Sequence, residues 1–250
     1  MNPTNRIAMI TGAGSGVGQA VAQALADASW CLVLVGRTRS KLEETAKMCA
    51  QVEVLVCPTD ISKPEEVSDL FQQVLGKFGR LDLLFNNAGV NAPAVPMEEL
   101  PFEEWKRVID INLTGSYLCA REAVKLMKTQ QPMGGRIINN GSISSHVPRP
   151  HAVPYNASKH AITGLTKSIM LDGRSFNITC GQIDIGNAGT DMTKRMQTGV
   201  MQADGTLKPE PIMQLRDVGS AVAYMASLPT DTNVPWLTIM ANEMPYAGRG

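Results

Sequence analysis

The sequence predicts an α/β fold: a doubly wound, Rossmann-like parallel sheet of about seven strands with helices on both faces. Three observations lead there. Short apolar runs recur at 7–10, 31–35, 52–56, 81–85, 136–139, 178–183 and 236–240, and they are continuous rather than alternating, as in strands buried on both faces. Stretches with helical spacing lie between them at 17–28, 41–50, 64–78, 105–127, 155–171 and 217–228. The first strand runs directly into a glycine-rich turn. Parallel strands need long crossovers, and right-handed crossovers place helices on both faces, so this alternation closes naturally as an open sheet. A TIM barrel needs eight strand and helix pairs, more than the pattern supplies.

No stretch of the 250 residues has linker composition, so 1–250 is expected to form a single domain that binds cofactor and substrate together. The 23 Lys and Arg balance 23 Asp and Glu without a basic block, which disfavours nucleic acid and anionic membranes as partners. The polar start at 1–6 lacks signal-peptide design, and no apolar run nears the ~20 residues that cross a bilayer, so the expected location is the cytoplasm. Cys31, Cys49, Cys57, Cys119 and Cys180 are odd in number and widely spaced, and His146, His151 and His160 lack ligand spacing. Neither a disulfide framework nor a metal site is indicated. Residues 189–213, with Gly199, Gly205, Pro209 and Pro211 among four methionines, are the least regular part and read as a loop or substrate lid.

The first strand ends in Thr11-Gly12-Ala13-Gly14-Ser15-Gly16-Val17-Gly18, and a helix follows. Glycines let a diphosphate approach the backbone while the free N–H groups of the helix start point at it. Gly12, Ser15, Gly16, Val17 and Gly18 are therefore candidate cofactor contacts, although their spacing departs from the common Gly-x-Gly-x-x-Gly fingerprint. After the second strand, Gly36-Arg37-Thr38-Arg39 stands where an NAD site usually places an acid for the ribose hydroxyls. The Arg37 guanidinium suits a 2′-phosphate instead, so NADP(H) is expected in preference to NAD(H).

Ser142 follows the fifth strand, Tyr155 lies 13 residues on, and Lys159 lies four further. On a helix, positions 155 and 159 share a face one turn apart. A free tyrosine is a poor base with a pKa near ~10, but a nearby ammonium stabilises its phenolate, so Tyr155 is expected to have a lowered pKa and to act as acid and base.

With these residues in order, the sequence resembles the classical short-chain dehydrogenase/reductase family over nearly the whole chain. The resemblance rests on Thr11 to Gly18, Asp60 after the third strand, Asn86-Asn87-Ala88-Gly89 after the fourth, Asn112 in a helix, then Ser142, Tyr155 and Lys159. It implies that Asp60 and Ile61 contact adenine and that Asn87, Ala88 and Gly89 line the ribose side. It further implies that Ser142 binds the substrate oxygen, Tyr155 exchanges the proton, Lys159 holds the nicotinamide ribose, and Asn112 anchors a water relay. Gly186 and Thr190 keep family positions beside the carboxamide, whereas Ile185 replaces the usual proline before Gly186 and 236–250 lacks the usual Gly-Gly ending. A homotetramer or homodimer through the helices at 105–127 and 155–171 is implied in the same way.

The expected activity is interconversion of a secondary alcohol and a ketone on a small organic substrate, with hydride passing to or from the nicotinamide. Ser144, His146, Val147, Met192 and Met196 are candidates for the substrate wall. Two alternatives share the same residues: a 3-oxoacyl-carrier-protein reductase, and a dinucleotide-binding regulator without turnover. An intact Ser142, Tyr155 and Lys159 argues against the regulator.

Overall fold

The structure is a computed structural model that describes residues 6–190, 193, 196, 198–202 and 204–246. A seven-stranded sheet forms from β1 (Ile7–Thr11), β2 (Cys31–Gly36), β3 (Val54–Pro58), β4 (Leu83–Asn86), β5 (Gly135–Asn140), β6 (Ile178–Ile185) and β9 (Trp236–Ile239). The spatial order is β3-β2-β1-β4-β5-β6-β9, and every neighbouring pair is parallel. The chain winds outward in one direction to β3 and in the other to β9, so β1 and β4 flank the switch point where open α/β sheets bind ligands.

Successive side chains of each strand serve opposite faces. Ala8, Ile10, Leu32, Leu34 and Phe85 pack beneath α1 (Gly16–Asp27) and α7 (Leu215–Ser227). Met9, Val33, Leu84 and Ile137 pack on the other face against α3 (Pro64–Phe78), α5 (Ser116–Thr129) and α6 (Val153–Gly173). The expectation of burial on both faces holds for the inner strands, but β3 is mostly half-buried and β9 alternates between exposed and half-buried. Each has a single neighbour, so one flank stays open to solvent.

The helices follow local signals. In α3, Pro64 opens the first turn, Glu65 and Glu66 complement its dipole, and Gly79 ends it in a left-handed conformation at φ 72°. The remaining helix on this side of the chain order, α2, spans Arg39–Met48. The continuous helix expected at 105–127 is instead α4 (Phe102–Ile109), a π-helical turn (Asp110–Gly115) and α5. Wide turns of this kind occur mainly where function needs a helix locally opened. The described residues of the 189–213 segment include regular pairing where an irregular loop is expected. Met213 and Ala188 bridge its base, and β7 (Val200–Met201) pairs with β8 (Leu207–Lys208) in a short hairpin.

Among the described residues no helix is long and apolar enough to cross a membrane, and no group of His, Cys, Asp and Glu is placed to hold a metal ion. All five cysteines are buried thiols. Phe85 is fully buried at the centre of the sheet. Replacing it with alanine is expected to cost about 3–5 kcal/mol in urea unfolding followed by circular dichroism, and a loss below ~1 kcal/mol would contradict a close-packed core at β4.

Candidate active site

The C-terminal ends of β1, β4 and β5 are stitched together by one side chain. Asn87 Nδ2 donates to the Thr11 carbonyl at 2.8 Å, and Asn87 Oδ1 accepts from Asn140 Nδ2 at 2.9 Å. Thr11 Oγ1 accepts in turn from the backbone N–H groups of Asn87 and Ala88 at 2.9 and 3.0 Å. Over these strand ends lies a cavity of about 530 Å³, within the ordinary range for ligand pockets. Gly12, Ser15, Gly16, Val17, Arg37, Asp60, Ile61, Asn87, Ala88 and Gly89 all line it, as do Tyr155, Lys159, Gly186 and Thr190.

Gly12 and Gly16 take left-handed φ values of 68° and 55°, so this turn needs glycine at both. The N-cap Ser15 makes no side-chain capping bond and α1 has no acid in its first turn, which leaves the helix start available to an anion. Gly18 has a different place from the rest of its motif. It lies buried beneath the turn, where a Cβ would stand 2.2 Å from the Gly12 carbonyl oxygen. Close packing of helix on strand, rather than lining the cavity, is what requires that glycine.

Arg37 stands exposed at the cavity edge, whereas Arg39 faces Glu43 at 3.6 Å on the surface. Burial raises the Asp60 carboxyl, but hydrogen bonds from the Ser62 hydroxyl and N–H outweigh it, with help from Arg37, so the net shift is downward. Asn112 sits in the π-helical turn, where its side chain bonds both the N–H and the carbonyl of Val90, at 2.8 and 3.0 Å, and reaches Ser158 Oγ at 3.2 Å. The amide thereby pins the loop after β4.

Tyr155 and Lys159 share one face of α6, as the spacing predicts. Lys159 Nζ is buried, donates to the Asn140 carbonyl at 2.7 Å and stands 5.6 Å from the Tyr155 ring centroid. Burial pulls its pKa down to about 8, opposed by the charge of Asp184. The expected lowering of Tyr155 is not found. Desolvation raises it, partly offset by a hydrogen bond from Ser142 and by the charge of Arg149. The ammonium stands over the ring and is held on the Asn140 carbonyl, and it is not among the groups that lower the phenol.

A smaller cavity of about 300 Å³ adjoins the first. Ser142, Ser144 and Met196 line it. Ser142 Oγ also accepts from the Ser144 N–H at 3.1 Å. His146 does not line it: its ring turns away, with Nε2 2.9 Å from Asp184 Oδ2, and Val147 is likewise absent from the lining. His151 occupies the wall instead. Met192 lies outside the described residues. Tyr155, Ile185, Gly186 and Thr193 border both cavities, whereas Lys159 borders only the larger and Ser142 only the smaller.

Several residues of this site were not singled out from the sequence. Arg149 lines the smaller cavity and forms a two-pronged bond to the buried Glu210, at 2.6 and 3.1 Å, tying the loop before α6 to the segment after β8. Burial raises Glu210, but bonds from Arg149 and Asn187 dominate and hold it at about 2. Single charges far apart in sequence give no motif, so this pair had no signal. Asp184 did have one: an acid between Ile183 and Ile185, directly after the run 178–183 read as a buried strand, requires dedicated partners if the strand continues.

A family model described as short chain dehydrogenase matches residues 6–200. The chain belongs to that family. It is 37% identical over 202 residues to a 3beta-hydroxysteroid dehydrogenase of Mediterraneibacter gnavus, covering 78% of this chain and 70% of that one. A 3-ketoacyl-(acyl-carrier-protein) reductase from Brucella melitensis, solved with NADH, superposes with TM-score 0.84 at 26% identity over 95% of this dehydrogenase and 98% of its own chain. An alcohol dehydrogenase from Thermococcus sibiricus, solved with 5-hydroxy-NADP, superposes with TM-score 0.80 at 26% identity over 96% and 97%. The protein is thus an oxidoreductase of the short-chain type that uses a nicotinamide dinucleotide.

The buried Lys159 ammonium has a consequence for stability. Its pKa is about 8 in the folded chain against 10.5 for an unperturbed lysine, so between those values the unfolded chain holds the extra proton and stability rises with pH. Relative to Lys159→Met, the unsubstituted chain should gain on the order of 2–3 kcal/mol between about pH 7 and pH 10 in denaturant unfolding. Parallel stability curves would show that the ammonium is not desolvated.

Proposed function

We propose that the dehydrogenase is NADP(H)-dependent and interconverts a secondary alcohol and a ketone on a small, neutral, largely apolar substrate, with Tyr155 as its acid and base. The observation that carries this reading is the division of the two cavities. Lys159 faces the larger, Ser142 faces the smaller, and Tyr155 stands where they join.

The larger cavity suits the dinucleotide. The glycine turn and the start of α1 would take the diphosphate, Asp60 and Ile61 the adenine side, Ala88 and Gly89 the ribose side, and Gly186 with Thr190 the carboxamide. Arg37 would hold the 2′-phosphate, supported by its place at the cavity edge and by the absence of any acid at 35–39. The Brucella and Thermococcus relatives carry different dinucleotides, so the preference for NADP rests on Arg37. A bound nicotinamide supplies the hydride donor or acceptor.

The chain itself handles the oxygen and its proton. Ser142 and Tyr155 both line the smaller cavity, and a substrate oxygen entering between them would meet two hydroxyl donors at the atom where charge develops. Desolvation keeps Tyr155 in its phenol form at neutral pH, which suits proton donation to a carbonyl during reduction. Lys159 supplies a cation beneath the ring and would hydrogen-bond the nicotinamide ribose. Asn112 fixes the loop after β4 on which the ribose would rest, and the water relay implied by the family is part of this proposal.

Ile143, Met196, Val200, Met201 and Leu207 give the smaller cavity an apolar wall. Arg149 on that wall is matched by Glu210, which favours a neutral substrate over an anionic one or a phosphopantetheine-borne chain. The hairpin of β7 and β8 would serve as the lid. Tyr117 on α5 and Leu171 on α6 stand exposed and support association of copies through those helices.

Titration with NADPH and NADH, followed by nucleotide fluorescence, tests the cofactor assignment. NADPH should bind at least ~10-fold more tightly, and Arg37→Ala should remove most of that preference while leaving NADH nearly unaffected. Equal loss for both nucleotides would overturn the role of Arg37. Tyr155→Phe should slow NADPH oxidation by neutral ketones by about 10³-fold with NADPH affinity within ~3-fold, and retained turnover would overturn the mechanism.

A further inference from the structure

We propose that Asp184 is a positioning residue that holds Ser142 in place and acts as the counter-charge for Lys159, with His146 as its solvent-side donor. The inference deepens the oxidoreductase reading above and rests on it.

Asp184 lies on β6 and is 1% exposed. Its Oδ1 accepts from the Ser142 N–H at 3.0 Å and from Gln182 Nε2 at 2.7 Å, while Oδ2 faces His146 Nε2 at 2.9 Å. An ionised carboxylate only accepts, so the His146 proton toward it sits on Nε2. The turn that carries Ser142 is therefore gripped at both ends by one carboxylate, through the backbone at 142 and the side chain at 146. Gly141 makes the approach possible, since a Cβ there would lie 2.1 Å from Asp184 Oδ1.

The same carboxylate is anchored to α6. Gln182 Nε2 also donates to Thr163 Oγ1 at 3.1 Å, and Gln182 Oε1 accepts from Thr166 Oγ1 at 3.2 Å. Thr163 and Thr166 belong to the helix that carries Tyr155 and Lys159. Asp184 thus joins the serine turn to the tyrosine and lysine helix.

A buried carboxylate is costly, and a neutral asparagine offers the same shape. Geometry alone does not require the charge. The charge has a use because Lys159 is also buried beside it: Lys159 Nζ bonds the Asn140 carbonyl, and Asn140 stands opposite Ile183, the neighbour of Asp184, in the β5 and β6 register, so the carboxylate favours the ammonium against desolvation. The titratable and charged groups around this centre are His146, Lys159, Tyr155 and Arg149. Of these, Lys159 is the one that is buried, cationic and bordering the larger cavity.

The test compares Asp184→Asn with the unsubstituted chain in two ways. First, kcat and KM are measured across pH with NADPH and a neutral cyclic ketone. The unsubstituted rate should fall as pH rises through about 8, where Lys159 loses its proton. Asp184→Asn should lower kcat by ~10-fold or more with little change in KM, and should move that alkaline limb toward acid by about one pH unit. His146→Ala should lower kcat less and leave the limb in place.

Second, the Lys159 ammonium is titrated by lysine-selective NMR in the protein without nucleotide. Its midpoint should fall in Asp184→Asn, and this readout stands even if no ketone is turned over, a result that would count against the oxidoreductase reading alone. If Asp184→Asn does not fold, Gly141→Ala displaces the same carboxylate from the serine turn and should lower kcat in the same way, with a smaller fall of the Lys159 midpoint because the charge is kept. An unchanged Lys159 midpoint, or a lower kcat with an unmoved limb, would overturn the counter-charge role. Unchanged kcat would overturn the positioning role.

Discussion

Lys159 donates from a buried ammonium to the carbonyl of Asn140 at 2.7 Å, and that bond ties the helix carrying Tyr155 to the strand whose next turn carries Ser142. Desolvating a lysine is unfavourable, and the chain offsets it with an oriented carbonyl and a buried carboxylate nearby. The rest of the site is arranged around this constraint. The cation sits at the carboxyl end of β5, an inner strand with helices over both faces, where it is buried.

The sheet ends are accordingly polar inside an apolar fold. Asn86 Nδ2 meets Asn139 Oδ1 at 3.0 Å, Asn139 Nδ2 meets Thr166 Oγ1 at 2.9 Å, and Thr166 meets Gln182, which meets Asp184. This chain of buried amides and hydroxyls crosses β4, β5, α6 and β6 without a charged member until its last. Such networks fix side chains in one arrangement because each unmade bond would be costly. The segment after β8 is held by a different device, the Arg149 and Glu210 pair, beside the smaller cavity.

Much of the fold was legible because parallel strands buried on both faces leave continuous apolar runs, and the inner strands were found within a residue or two. The edges were less legible: β9 has the composition of an inner strand, and only its position at the rim exposes it. The π-helical turn at Asp110–Gly115 carries Asn112, whose bonds to Val90 are a tertiary contact with no local signal. The hairpin of β7 and β8 is two residues per strand, too short for any period to register. In the site, Ser142, Tyr155 and Lys159 stood at readable spacings. His146 was drawn away from the cavity by Asp184, and Tyr155 was raised rather than lowered because burial outweighs a cation held at a distance. The first departure traces to a buried carboxylate and the second to burial of the phenol, neither of which a linear sequence locates.

The proposed function requires that two cavities meet at Tyr155, one for the dinucleotide and one for the substrate. A crystal structure of the chain with NADP bound tests it most directly. The diphosphate should lie on the turn at Gly12 to Val17, the 2′-phosphate at Arg37, and the nicotinamide ribose within hydrogen-bond distance of Lys159 and Tyr155. A dinucleotide bound elsewhere, or one whose nicotinamide lies remote from Tyr155, would contradict it.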